Sequence, residues 1–543
     1  MSALTVEATD SPTRHAEVGP TRSGRWLSAA AAALCVALSV AASALFLPHQ
    51  SLWHDEVVQL SGISLGPVGQ VRWLTGRMGD PFGVGLDRSP PLSYWAGWAW
   101  SLAFGRGEVA MRWLGVVAVG LATLIVFHGA RRAWGLGPGL TAGALLGLSP
   151  NVVVAAVEIR AYPLLLLASA ASLYCLIRLI AEPDSGAWLA GLAGCGVVAA
   201  YTHFFGLVLA GATLLAALIL VPTRGGRVRS VALACAAVGL LSLGLAPFVT
   251  AAVGLSADEV PGLKEKAVAL VRLGYRLVGH PATSVSQAAS GLAVLGALSA
   301  GAAALTAKRR SQAASVAMLL ALGSGAGVVV IAHLAQSRFS AASPSYNLWM
   351  LPALSLWLAS GLASASRAAR RAALAGVVML LASDAFAAGQ LAVNGDFFAH
   401  TPYRAVEALI QGYGPGRVAV VADGDGAHAW TFYSPAHYQF AGAVRHYVID
   451  GRVPGTLRVA DYPDRKFSVD PLALRADYLI VVRAAPQGAA ELAAQVRRGV
   501  RPLGGGPVAT AARTDSRWSA VSETTYATFV VADVAVFRRV GAD

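Results

Sequence analysis

Between residues 25 and 391, apolar runs of roughly bilayer-spanning length follow one another, separated by polar segments. Hydrocarbon offers the backbone no hydrogen-bond partners, so each run must satisfy its own, and an α-helix does that. The runs are 25–47, 108–130, 136–152, 162–180, 188–201, 204–221, 231–253, 285–307, 313–334, 346–363 and 372–391, with a polar loop before 285. They predict about eleven transmembrane helices. With 56% hydrophobic and 13% charged residues, the chain is not an ordinary soluble one. The first run is longer than a signal-peptide core and reads as a retained helix, after a disordered tail at 1–24.

The net charge of +13 does not imply a nucleic-acid partner, because the arginines sit in clusters between apolar runs. Arg131-Arg132, Arg178, Arg224-Arg227-Arg229, Lys308-Arg309-Arg310 and Arg367-Arg370-Arg371 all fall on one side if the apolar stretch 91–104 lies at the interface without crossing. Arg14, Arg22 and Arg25 share that side, so the N-terminus is expected in the cytoplasm of a cell-membrane protein and the region from 394 outside. Cys35, Cys175, Cys195 and Cys235 lie within apolar runs without metal spacing and read as small core residues.

Residues 394–543 change character. Strand-like segments at 418–421, 478–482 and 529–537 and helical periodicity at 489–498 predict a soluble α/β domain. Asp423-Gly424-Asp425-Gly426 follows the first strand and reads as a turn, lacking full calcium-loop or phosphate-loop spacing.

Chemistry is expected in the first external loop, 48–107, and at helix ends on the same face. Ionisable groups at a membrane boundary normally face water, a cavity or a substrate. Asp55 and Glu56 follow the first helix, with His54 before them; Asp87 and Arg88 precede the interfacial helix; Arg112 begins the second span. Glu158, Arg160 and Tyr162 lie before the fourth, and His203 between the fifth and sixth. Arginine suits a lipid phosphate through its bidentate fork, and a carboxylate beside it can take a proton from an acceptor hydroxyl. Each residue also has a plainer reading. Asp55-Glu56 could be a hydrated pair at a helix start, Glu158 and Arg160 an internal ion pair, Arg112 a snorkelling anchor, Tyr162 part of an aromatic belt and His203 a packed interface residue.

Taken in order, Trp53-His54-Asp55-Glu56, Pro90-Pro91-Leu92-Ser93-Tyr94-Trp95, Gly107-Glu108-Val109-Ala110-Met111-Arg112-Trp113-Leu114, Ser149-Pro150 and Glu158-Ile159-Arg160-Ala161-Tyr162 resemble the motifs of GT-C glycosyltransferases. The type is that of the protein O-mannosyltransferases and aminoarabinose transferases, glycosyltransferase family 39, and the match covers about the first 210 residues. The resemblance implies an α-helical multi-pass enzyme that moves a sugar from a polyprenyl-phosphate donor to a glycan, protein or lipid acceptor on the external face, by inversion. Asp55 would be the base, supported by Glu56. Arg112, Glu158, Arg160 and Tyr162 would shape the donor pocket. Two positions depart from the family: Ser89 stands where a histidine is usual, and Ser345-Tyr346 where an Arg-Tyr pair is usual, with Arg338 the nearest arginine. A metal is not obligatory, although His54, Asp55 and Glu56 could hold a divalent cation. A transporter or lipid flippase is the alternative, but it would favour internal repeats and midplane charges, and neither stands out.

Overall fold

The computed structural model describes residues 22–79, 81–82, 87, 89–253, 262–278, 284–306, 309–335, 343–395, 401–423, 435, 438–440, 443–449, 457–461, 468–485, 506–527 and 531–542. Arg88, Arg338, the helix expected at 489–498 and most of the Asp423–Gly426 turn lie outside them.

The first helix, α1 (Arg22–Phe46), starts within the expected tail. In the loop after α1 come α2 (His54–Ser64), α3 (Gly66–Leu74) and α4 (Leu92–Phe104). Next are α5 (Glu108–Trp134), α6 (Leu136–Leu148), α7 (Pro150–Ala156), α8 (Tyr162–Ala181), α9 (Gly186–Thr202) and α10 (Phe205–Leu220). The remaining helices of the membrane part are α11 (Val228–Ser242), α12 (Ala246–Val253), α13 (Leu263–Val278), α14 (Ser284–Ala304), α15 (Arg309–Ala335), α16 (Met350–Ser360) and α17 (Arg367–Val393).

Every expected apolar run is helical, but the count of spans changes. Among the described residues seven helices are long and apolar enough to cross a membrane, and the α6–α7 pair makes an eighth. Three shorter apolar helices, at 186–202, 290–304 and 350–363, stand where the other spans were expected. The run 136–152 is not one straight helix: it bends by 58° at Ser149. Pro150 cannot continue the ladder of α6, because it lacks an N–H, and opens α7 at its first position instead. The polar loop expected before 285 contains α13, where Leu270, Leu273 and Leu277 sit at helical spacing among Lys264, Lys266, Arg272 and Arg276.

Leu38, Leu121, Leu215 and Leu233 are exposed on the outside of this bundle, as lipid-facing residues of a multi-pass membrane protein should be. Inside it, small residues bring helices close. A Cβ on Gly115 of α5 would lie 2.3 Å from the Ala156 carbonyl oxygen of α7.

After α17 come α18 (Tyr403–Tyr413), α19 (Gly506–Thr514) and a seven-stranded mixed sheet. The strands are β1 (Val418–Ala422), β2 (Arg445–Ile449), β3 (Val459–Asp461), β4 (Ser468–Val469), β5 (Tyr478–Ala485), β6 (Trp518–Ala527) and β7 (Val531–Arg539), in the order β4-β3-β2-β1-β5-β7-β6. β1 is parallel to β2 and β5, and the other pairings are antiparallel. Side chains alternate across the sheet as strand geometry requires. Ala419, Val421, Leu479 and Phe537 pack towards Val508 and Ala512 of α19. Val420, Ile480 and Val536 face the other way, into one core with Tyr403 and Ile410 of α18 and with Leu52, Trp73 and Tyr94 of the loop after α1. Asp423, at the end of β1, accepts a 2.8 Å hydrogen bond from the Val508 N–H at the start of α19.

The close approach at Gly115 positions Arg112 one turn away, so Gly115→Ala should push α5 from α7. The expected cost is about 1–3 kcal/mol, read as a lower thermal midpoint of the purified protein in detergent.

Candidate active site

The Trp53-His54-Asp55-Glu56 stretch begins α2, with Trp53 extended and His54 the first helical residue. Asp55 and Glu56 are consecutive on a helix and therefore about 100° apart, so their carboxylates have different surroundings. Glu56 is fully buried and meets Arg112 of α5 with two hydrogen bonds, 2.6 and 2.9 Å. It also accepts the Ile159 N–H at 2.9 Å. Arg112 donates further to Glu108 from Nε and Nη2, at 3.0 and 2.9 Å, and to the Val157 carbonyl. All five of its N–H bonds are thus used, and its side chain is out of reach of solvent. Arg112, expected at the donor pocket, has every N–H committed within the chain, and with Glu56 it joins α2, α5 and the turn after α7.

Arg160 is placed differently. Its Nη1 donates to the Asp55 backbone carbonyl at 3.1 Å, and its guanidinium lies 3.7 Å from the Asp55 carboxylate and 3.6 Å from that of Asp87. Its Nε has no hydrogen-bond partner among the described residues. The Asp55 side chain keeps 39% of its surface exposed, against 1% for Glu56. Asp87 accepts a 2.5 Å hydrogen bond from the Tyr94 hydroxyl. Burial, and then the Asp87 charge, push that hydroxyl well above the ordinary tyrosine value, so Tyr94 stays a proton donor. Glu158 is buried beside Arg160, Gln59 and Ser93 around a small cavity.

Next to Arg160 stands an aromatic wall. Its guanidinium lies 5.9 Å from the centre of the Tyr162 ring, and Tyr162 is 5.8 Å from His203 and 6.1 Å from Tyr346. Phe205 completes the group, 5.8 Å from Tyr346. The Phe205 N–H donates to Nδ1 of His203, which requires that nitrogen to be unprotonated.

The structure therefore gathers Asp55, Asp87, Arg160, Tyr162 and His203 around one centre and sets Glu56 and Arg112 beneath it. Among the described residues no three or more His, Cys, Asp or Glu side chains form a metal-binding group, so His54, Asp55 and Glu56 do not converge as one. Sequence reasoning missed Tyr346, whose signal was its place in the departed Arg-Tyr pair, and Arg404. Arg404 precedes the sheet and reaches Glu108 at 3.2 Å, extending the buried ion pair outward. No local pattern marks a contact between residues so far apart in sequence.

Residues 88–250 match the family model described as dolichyl-phosphate-mannose-protein mannosyltransferase. In fold, the chain is similar to the crystal structure of ArnT from Cupriavidus metallidurans in the apo state, with TM-score 0.50 and 13% identity, covering 93% of this chain and 98% of that one. It is equally similar to ArnT bound to undecaprenyl phosphate, with TM-score 0.50, 14% identity, and 94% and 98% covered. No curated protein matches in sequence. The family match and the shared fold bear out the resemblance that the sequence motifs carry.

Two predictions separate these roles. Arg112→Met would leave Glu56 buried without its counter-charge and should cost about 3–5 kcal/mol in stability, whereas Arg160→Met should shift the thermal midpoint much less. The second concerns His203, whose pKa is pushed down to about 4 by burial and then by the Arg160 charge. Unfolded histidine titrates near 6.5, so the unfolded chain binds the extra proton between these values and the folded chain does not. Stability should be complete above pH ~6.5 and fall by about 3 kcal/mol as the pH drops towards 4. Thermal midpoints of His203→Gln across that window should lack this component.

Proposed function

We propose, from the premise that this chain is a membrane glycosyltransferase of the GT-C type, that it takes a sugar from a polyprenyl phosphate and passes it to an acceptor hydroxyl on the extracytoplasmic face. The observation that supports this reading is the division between neighbouring carboxylates. Glu56 is spent on Arg112, while Asp55 is open beside an arginine that still has an N–H to give.

In this mechanism the acceptor hydroxyl approaches the anomeric carbon from the Asp55 side. As its oxygen bonds to that carbon, its proton passes to the Asp55 carboxylate. The bond from the anomeric carbon to the phosphate oxygen breaks on the opposite face, and polyprenyl phosphate leaves with the electron pair. Arg160 offsets the charge gathering on the phosphate. One displacement inverts the anomeric centre. Tyr162, His203, Phe205 and Tyr346 supply an aromatic surface for the donor, with His203 neutral at physiological pH.

The charges at helix ends support an orientation. Arg131, Arg132, Arg178 and Arg367 stand at ends of α5, α8 and α17, while Asp55, Arg112, Arg160 and His203 stand at the opposite ends of the bundle. Under the positive-inside rule the N-terminus is cytoplasmic, and the sheet domain lies outside with the site. There it covers the site's outer flank and is placed to meet the acceptor, a hydroxyl of a glycan, protein or lipid.

The test is transfer in vitro from polyprenyl-phosphate sugars by protein in proteoliposomes. Asp55→Asn should keep the wild-type thermal midpoint and lose about 10²–10⁴-fold in turnover. A folded Asp55→Asn protein with near wild-type turnover would remove Asp55 from the role of base.

A further inference from the structure

A second feature lies at the other end of α5. Between α1 and α5 runs an open groove of about 800 Å³. Its α1 side is a single face of small residues, among them Ala29, Ala33 and Val36, and its α5 side carries Leu124. Three basic side chains edge its mouth: Arg25 on α1, and His128 and Arg131 one turn apart on α5. Arg131 is 19 residues from Arg112, about 28 Å along the helix, so the groove opens on the membrane face away from the candidate active site.

We propose that this groove is a binding site for an anionic phospholipid of the leaflet opposite the active site. The observations carrying this are shape and charge together. From Arg25 to Val40 the face runs about 22 Å, longer than the ~15 Å of hydrocarbon in one leaflet. Towards its far end the helices close up, for a Cβ on Gly120 would meet Val40 at 3.4 Å and Val36 at 3.7 Å. An acyl chain therefore fits between the helices above a defined floor. At the mouth, Arg25 lies in the first turn of α1, which contains no acidic residue, so its charge adds to the positive end of the helix dipole. Arg131 reaches the same place from the last turn of α5. Positive-inside topology needs basic residues on this face. It does not need two of them on different helices at the mouth of one apolar groove, which is the arrangement that recognises a lipid phosphate.

The test is native mass spectrometry of the full chain, released from detergent with added dioleoylphosphatidylglycerol or dioleoylphosphatidylcholine. The wild-type protein should retain the glycerol lipid in preference to the choline lipid. Arg25→Gln combined with Arg131→Gln should reduce that retention roughly 25-fold, about fivefold for each arginine near an anionic lipid surface. Ala33→Trp, which fills the groove and keeps both charges, should reduce it too. Should Ala33→Trp fail to fold, the double arginine variant decides. Equal retention of the two lipids, or wild-type retention by a folded variant, overturns the proposal. Removing residues 1–21 should leave retention unchanged; a rise would mean that this segment occupies the groove and would likewise overturn it.

Discussion

Two charges out of contact with water hold the site end of this protein together. Taking a carboxylate and a guanidinium into a medium of low dielectric is costly, and the cost is offset only when geometry is good and every donor finds an acceptor. Glu56 and Arg112 meet that condition, with two mutual hydrogen bonds and no N–H of the arginine left over. Because the partners come from α2, α5 and the turn between α7 and α8, the pair fixes the relative placement of three segments. Asp55 inherits its position from this lock without taking part in it. In the proposed mechanism Asp55 must reach substrate to accept a proton, while Glu56, which holds the loop, needs the reverse; adjacent helical positions allow both.

The same division separates the arginines. Arg112 and Arg160 look alike in sequence, each at the start of an apolar run. Only the packing tells them apart. The first is saturated; the second makes longer contacts of 3.6 and 3.7 Å to two acids and stands against an aromatic wall. The sheet domain takes part through Arg404, which reaches Glu108, and through Thr401, whose carbonyl accepts a 2.5 Å hydrogen bond from Ser51. Its sheet shares an apolar core with the loop that carries Asp55.

Much of this was legible in the sequence, because hydrophobic runs and helix-end charges are local signals. Most helices, the loop after α1, and Asp55, Asp87, Tyr162 and His203 near Arg160 could be named from it; Tyr346 and Phe205 could not. Span length was harder to read: α9 and α16 are apolar enough but short, and a run that reads as continuous, 136–152, is divided by Pro150. α13 was hidden because its charged positions outweigh its leucines in a plain reading of polarity. What local patterns cannot carry is which partner a charge chooses. Arg112 pairs across 56 residues and Arg404 across 296.

The end of α7, short of the start of α8, bears directly on that choice. A helix that stops leaves its last carbonyls, and the N–H groups just beyond it, without partners of its own. α7 stops at Ala156, and it is the Val157 carbonyl that receives Arg112 and the Ile159 N–H that reaches Glu56. The stop of α7 before α8 thus provides the loose main-chain groups that complete the solvation of both ions. Had the polypeptide continued as an unbroken rod through these positions, both polar groups would have been consumed internally, and the charges would have been buried half dressed.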